Sequence, residues 1–252
     1  MPRIKLVSVC EQPVNFTQDD LVIVVDSLRA TTTIVTAVAE GCREIRPVQN
    51  PRAAFRLKSR LVRETRYPGG SILLGGEKNG HSLPGFDLGN SPAEYVADKV
   101  RNKTIIMTTT NGTKALYRAG SAGKVYIGAW LNSRYLADNL LAVTSPVTFL
   151  CAGTRGDFSL EDFYTCGKII ASMEQMGARK RFELELDDGA RAASLLYQSR
   201  RNSPEEIFAT STNGRRLQEI GESADIRFCL RTDRLDILPA LRCNMVICDT
   251  RA

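Results

Sequence analysis

The sequence predicts an α/β fold in three layers, α/β/α, on a largely parallel or mixed sheet, with residues 1–252 as a single domain. Three observations carry this. Short apolar runs rich in Val and Ile alternate with stretches of helical periodicity, the pattern of strands joined by crossover helices. The longest apolar runs are of strand length, which predicts no membrane span. Acids, hydroxyls and Asn-Gly pairs collect where predicted strands give way to helices, the position at which open α/β sheets bind ligands.

Strand-like runs fall at residues 4–9, 21–25, 44–48, 71–74, 104–107, 124–127, 147–151, 226–229 and 245–248. Helical patterns lie at 29–40, 51–66, 92–100, 112–119, 132–143, 160–176 and 188–200. Leu21 to Val25 is a β-branched run, and the Ala- and Val-rich periodicity after it is helical. Pro92 behind a Ser91 cap makes a helix start. Ser159 caps a helix whose first turn carries Glu161 and Asp162, two acids that suit the helix dipole. Adjacent helical positions diverge, so at most one of the two faces a shared crevice. One echo, Thr109-Thr110-Asn111-Gly112-Thr113-Lys114 against Ser211-Thr212-Asn213-Gly214-Arg215-Arg216, reads either as two independent helix starts or as two related halves around one crevice.

Composition narrows the function classes. With 43% apolar and 25% charged residues, the chain has the make-up of an ordinary globular protein. The N-terminus, interrupted by Arg3 and Lys5, does not resemble a signal peptide. The 7 cysteines lack C-x-x-C spacing, and Cys151, Cys229 and Cys248 sit in apolar strand patterns, so reduced core thiols in a cytoplasmic protein are expected. The net charge of +6 comes from dispersed residues such as Arg56, Lys58, Arg60, Arg63 and Arg66. That dispersal argues against nucleic acid and leaves a small anionic substrate. A homo-oligomer is compatible with the sequence.

Four segments carry chemistry. In the first, Asp26 sits between a strand's carboxyl end and a helix's amino end, followed by Arg29, Thr31 and Thr32. These make a metal-and-phosphate site or a capped helix start. The second, a glycine-rich loop over residues 75–95, holds Glu77, Asp87, Asn90 and Ser91. Its acids suit Mg²⁺, and its lone His81 reads as incidental. The third brings Asn111, Gly112 and Thr113 to a helix start, an anion cradle or simple capping. In the fourth, Arg155 lies between Gly153 and Gly156, placed to fork onto an oxyanion. No nucleophile elbow, G-x-G-x-x-G or P-loop spacing occurs, which turns the reading toward metal-assisted phosphoryl chemistry.

Taken in order, DSLRATTTIVTAVAEG, GGEKNGHSLPGFDLGNSPAEY, TTTNGTKAL and CAGTRGDFSLEDFYTCG resemble the 2-phosphosulfolactate phosphatase family, with a looser likeness through STNGRRLQEIG. The resemblance implies an α/β/α phosphatase domain. It also implies a Mg²⁺-dependent hydrolase that converts (R)-2-phospho-3-sulfolactate to sulfolactate and phosphate, a step towards coenzyme M. Lys78 departs from the arginine expected after the second motif's glutamate, and offers a point charge instead of a planar fork.

On this reading Asp26, Glu77 and Asp87 compete as Mg²⁺ ligands. Arg29, Thr31, Thr32 and the Asn111–Thr113 turn hold the phosphate, with Asn90 and Ser91 alongside. Glu161 or Asp162 orients or deprotonates the water, and Arg155 meets the sulfonate or carboxylate. An aspartyl-phosphate route would need a second acid two positions after Asp26, where Leu28 stands. The alternatives are a phosphatase for another phosphorylated 2-hydroxy acid and a non-catalytic binder of a phosphorylated or sulfonated metabolite.

Overall fold

The Val- and Ile-rich runs do become strands. The computed structural model describes residues 3–64, 66–68, 70–179 and 183–249. In chain order the elements begin β1 (Arg3–Val7), β2 (Leu21–Val25), α1 (Ala30–Ala39), β3 (Glu44–Pro47), α2 (Pro51–Leu61), β4 (Ile72–Lys78) and β5 (His81–Ser82). They continue α3 (Ala97–Val100), β6 (Thr104–Thr108), α4 (Gly112–Ala119), β7 (Lys124–Gly128), α5 (Ser133–Leu140), β8 (Val147–Cys151) and α6 (Leu160–Arg179). The last are β9 (Glu185–Leu186), α7 (Asp188–Arg200), α8 (Pro204–Thr210), α9 (Thr212–Glu219), α10 (Ser223–Cys229), β10 (Pro239–Arg242) and β11 (Met245–Cys248).

The strands form one sheet in the order β5-β4-β6-β3-β11-β10-β7-β2-β8-β1-β9. Two parallel groups, β4-β6-β3 and β7-β2-β8-β1-β9, are joined by the antiparallel hairpin β10–β11. The sheet is therefore mixed and largely parallel. Val25 pairs with both Gly128 and Cys151, so the ends of three strands meet just before Asp26.

Helices cover both faces of the sheet. Val22 and Val24 pack with Ile34 and Val35 of α1 and Ala115 and Leu116 of α4. On the opposite face Leu21, Ile23 and Val25 meet Leu136 of α5 and Ile169 and Ile170 of α6. Every residue of β2 is buried, which explains a continuous apolar run in place of alternation. Burial of each Val or Ile contributes about 1.5–3 kcal/mol and fixes where the strand must end. The first of these cores also takes Ile45, Ile105 and Met107, so α1 and α4 share it with both strand groups.

Several elements differ from the sequence expectation. Residues 226–229 belong to helix α10, where Ile226 and Cys229 share a buried face three residues apart; a run of four cannot separate the two periods. The stretch 92–100 splits into a 3₁₀ turn, Pro92–Glu94, and the short α3. Helix α2 stops at Leu61, short of residue 66. Strand β10 begins with a proline, and α8 and α9 occupy sequence read only loosely. Cys248 is exposed, so it is not a core thiol; Cys151 and Cys229 are buried, and all 7 cysteines are free.

Strand β4 runs four residues further than the apolar pattern suggested, to Lys78, and this carries Glu77 to a strand end. Its continuation needs Gly76, whose φ is +135° and whose missing Cβ would stand 1.9 Å from the Thr108 carbonyl oxygen. Gly76→Ala is expected to destabilise the protein by about 3 kcal/mol or more, read as a lower urea midpoint with unchanged slope. A midpoint equal to the parent's would show that β4 and β6 approach less closely.

Candidate active site

The crevice opens where the chain leaves β2. It is lined by Asp26, Leu28 and Arg29 from that junction, by Glu77, Asn79, Gly80 and Asn90 from β4 and its loop, and by Thr110, Asn111 and Arg155. Asn213, Arg216 and Leu217 of α9 close the far side. Asp26 is 4% exposed. Its Oδ1 accepts one long bond, 3.4 Å, from Ala30 N. Burial, then the Glu77 and Glu161 charges, push its carboxyl up to about 7, against the pull of the Ala30 N–H and of Arg29.

The threonines of α1 serve the backbone. Thr31 Oγ1 accepts from Asp26 N at 3.0 Å and donates to Asp26 O at 2.9 Å. Thr32 Oγ1 donates to Ser27 O, and Thr33 Oγ1 to Asn90 O. The Thr31 and Thr32 hydroxyls clamp the Asp26–Ser27 turn, Thr33 holds the backbone at Asn90, and none of the three is part of the crevice wall. Arg29 does face the crevice: Nη1 donates to Asp225 Oδ2 at 2.6 Å and Nη2 to Gly80 O at 2.8 Å. Ser91 Oγ donates to the other oxygen of Asp225, so Ser91 steadies the partner of Arg29 and does not line the crevice.

Glu77 ties two loops together. Its Oε1 accepts from Thr110 N at 2.6 Å, while Oε2 accepts from Gly80 N at 2.6 Å and from Thr110 Oγ1. Asn111 Oδ1 accepts from Arg155 N. Gly112 lies so close to Asp26 that an added Cβ would stand 2.8 Å from Oδ2, which brings the start of α4 directly against the carboxylate. Thr113 caps α4 reciprocally with Thr109 and is buried away from the crevice wall. Asp87 lies elsewhere: exposed, it accepts from Leu74 N at 2.7 Å and pairs with Lys58 at 3.0 Å.

Beneath Asp26, both acids of the first turn of α6 are buried. Asp162 brackets two turns, Oδ1 accepting from Ser27 N at 2.7 Å and Oδ2 from Gly153 N at 3.2 Å. Glu161 Oε1 accepts from Asn213 Nδ2 at 2.7 Å, and its Oε2 is buried without a hydrogen-bond partner among the described residues. Burial raises both carboxyls above the usual range, and for Asp162 the charges of Asp26 and Glu161 add to it.

The structure thus gathers Asp26, Arg29, Glu77, Asn90, Asn111 and Arg155 at one crevice, with Gly112 and Glu161 behind it. It sets Thr31, Thr32, Ser91, Thr113 and Asp162 in supporting positions, and Asp87 outside. Asn79, Gly80, Thr110, Asn213 and Arg216 line the crevice without having been singled out. The signal for Asn213 and Arg216 was present in the echo of Asn111-Gly112 by Asn213-Gly214. Both copies start helices at this crevice, α9 behind a Ser211 cap that accepts from Gly214 N.

Comparison with known proteins gives this geometry a family. A family profile described as 2-phosphosulpholactate phosphatase matches residues 8–244. The chain belongs to the 2-phosphosulfolactate phosphatase family. It is 40% identical over 225 residues to a probable 2-phosphosulfolactate phosphatase of Caldanaerobacter subterraneus subsp. tengcongensis, covering 89% of each chain. A protein of the same description from Carboxydothermus hydrogenoformans is 41% identical over 222 residues, 88% of this chain and 86% of that one. One from Thermotoga petrophila is 36% identical over 219 residues, covering 87% and 88%. All four segments whose wording resembled the 2-phosphosulfolactate phosphatase family fall inside the matched range, and three of them put side chains on the crevice wall around Asp26, with the fourth adding Arg155.

The donor set suits a hard cation. Among the described residues Asp26 Oδ2 accepts no hydrogen bond, and Asn90 Oδ1 and Glu161 Oε2 are buried without partners. Among the described residues no three His, Cys, Asp or Glu side chains form a metal-binding group by themselves. Mg²⁺ fits that arrangement, since it takes oxygen ligands, commonly one or two carboxylates with water and substrate phosphate completing the shell. A site built for Zn²⁺ would instead need three or four nitrogen or sulfur ligands.

Proposed function

We propose that this chain is a Mg²⁺-dependent phosphatase that hydrolyses (R)-2-phospho-3-sulfolactate to 3-sulfolactate and phosphate at the Asp26 crevice. The observation that carries the proposal is Asp26 itself. It is a buried carboxylate crowded by Glu77 and Glu161 and faced by three arginines, in a member of the 2-phosphosulfolactate phosphatase family. An acid held this way needs a positive counter-charge, and a phosphoester bound with a cation supplies a matched pair.

Asp26, with the Asn90 side-chain oxygen nearby, would hold Mg²⁺. Bound there, the ion would neutralise phosphate oxygens and acidify a water. Arg29, fixed by Asp225, presents its remaining N–H groups to the phosphate, and Asn111 and the backbone at Gly112 lie against the same space. Glu161 is assigned as the group that takes the proton from the attacking water, because one of its oxygens is uncommitted. Asp162 positions the Ser27 and Gly153 turns, since both of its oxygens already accept backbone N–H bonds. Leu28 lines the crevice where a dehalogenase-type phosphatase would carry its second acid, so water is favoured over an aspartyl-phosphate.

Among the described residues no helix is long and apolar enough to cross a membrane; work in the cytoplasm, on a step towards coenzyme M, is part of the proposal. The test is phosphate release from 2-phosphosulfolactate, 2-phospholactate and 3-phosphoglycerate at equal concentrations. The sulfonate is expected to give the highest kcat/KM. Preference for phospholactate would make the chain a phosphatase of another 2-hydroxy acid, and binding of all three without release would make it a binder.

A further inference from the structure

Three guanidinium groups from distant parts of the chain close on one two-residue turn. Asn79 and Gly80, at φ 56° and 86°, join β4 to β5. Arg155 Nη2 donates to Asn79 Oδ1 at 3.0 Å, and Arg216 donates from Nε at 3.0 Å and from Nη2 to Asn79 O. Arg29 Nη2 donates to Gly80 O. The turn's own N–H groups point the other way, to Thr110 Oγ1 and to Glu77 Oε2. Its carbonyl oxygens and one amide thus space three cations that would otherwise repel one another.

These cations differ in charge balance. Arg29 is neutralised by Asp225 at 2.6 Å. Among the described residues neither Arg155 nor Arg216 has a carboxylate within ion-pair distance. Each guanidinium has five N–H donors, and the turn uses only one of Arg155's and two of Arg216's. Both line the same crevice as Asp26. Two uncompensated planar forks held side by side by a common acceptor are suited to a second anion, beyond the phosphate held near Arg29.

We propose that Arg216, set beside Arg155 by the Asn79 turn, is a specificity determinant. The pair binds a non-transferring anionic group, carboxylate or sulfonate, on the carbon skeleton of the phosphoester. The enzyme thereby discriminates phosphoesters of acidic alcohols from those of neutral alcohols. This rests on the phosphatase reading above, and it extends the anion role of Arg155 to a residue contributed by α9.

The experiment compares the protein with Arg216→Ala and Arg216→Lys, using kcat and KM for 2-phosphosulfolactate and for ethyl phosphate, which lacks the second anion. Melting temperatures establish that each variant is folded. Arg216→Ala is expected to lower the kcat/KM ratio of the two substrates by about 30-fold, mainly through KM for the sulfonate. Arg216→Lys should recover part of the ratio, because it keeps the charge and loses the fork. A parallel titration with sulfolactate, which cannot turn over, should show affinity falling about tenfold or more in Arg216→Ala. A ratio within twofold of the parent in folded Arg216→Ala overturns the subsite and leaves the phosphatase reading intact. Loss of all turnover by the parent, with sulfolactate binding still sensitive to Arg216, overturns the phosphatase reading and leaves the subsite intact. A parent that neither turns over 2-phosphosulfolactate nor binds sulfolactate overturns both.

Discussion

Asp26→Asn is expected to lower kcat by about 10³-fold or more while leaving the protein folded, with a melting temperature at pH 8 equal to or above the parent's. The two halves of that expectation have one cause. Strand β2 is fully buried and delivers Asp26 to a place where burial and the charges of Glu77 and Glu161 oppose its ionisation. An amide of the same shape keeps the contacts at the start of α1 and removes the repulsion, so the fold gains what catalysis loses. Steady-state kinetics with a thermal melt on one preparation checks both. A variant that kept near-normal kcat would remove Asp26 from the chemistry; one that failed to fold would make it a structural acid.

In cation-free buffer, stability should fall as pH rises. Asp26 has a folded-state pKa of about 7, raised from an ordinary carboxyl value near 3.8, and Glu161 and Asp162 are shifted the same way. Between those two pH values the folded chain keeps a proton that the unfolded chain has released. Stability therefore declines through that window and the full penalty is present above it. The decline from pH 5 to pH 8 should be about 2–4 kcal/mol, seen in urea midpoints. Mg²⁺ at saturating concentration should recover most of it at pH 8 and little at pH 5, because the ion competes with protons for the same oxygens. Stability that is flat or rises with pH in the cation-free protein would show that these acids already have counter-charges.

The backbone plan was legible because β2, β6 and β8 are buried on both faces and so appear as unbroken apolar runs. The same rule hid β10, whose proline start and mixed burial resemble a loop, and it misplaced residues 226–229, where four apolar-rich residues fit either period. At the crevice, Asp26, Arg29, Asn111 and Arg155 could be named because each comes just after a strand end, and Glu77 and Asn90 because they belong to one long glycine-rich segment. Thr31, Thr32 and Ser91 could not be separated from them. A hydroxyl at a helix start bonds backbone as readily as ligand, and only in the folded chain is it plain that Thr31 spends both of its bonds on Asp26. Asp87 looked like a ligand because its loop is rich in acids, yet its side chain holds Leu74 N and Lys58. Arg216 reaches the crevice, and Asp225 reaches Arg29, from the α9–α10 segment about 200 residues beyond Asp26 in sequence, and no local pattern encodes those contacts.

The most direct measurement is phosphate release from 2-phosphosulfolactate by metal-stripped protein titrated with Mg²⁺, with Asp26→Asn assayed alongside. Release that is absent without the ion, saturates as it is added and stays absent in the variant is the predicted result. Equal release by stripped protein, or by Asp26→Asn with Mg²⁺ present, would contradict a cation-assisted phosphatase centred on Asp26.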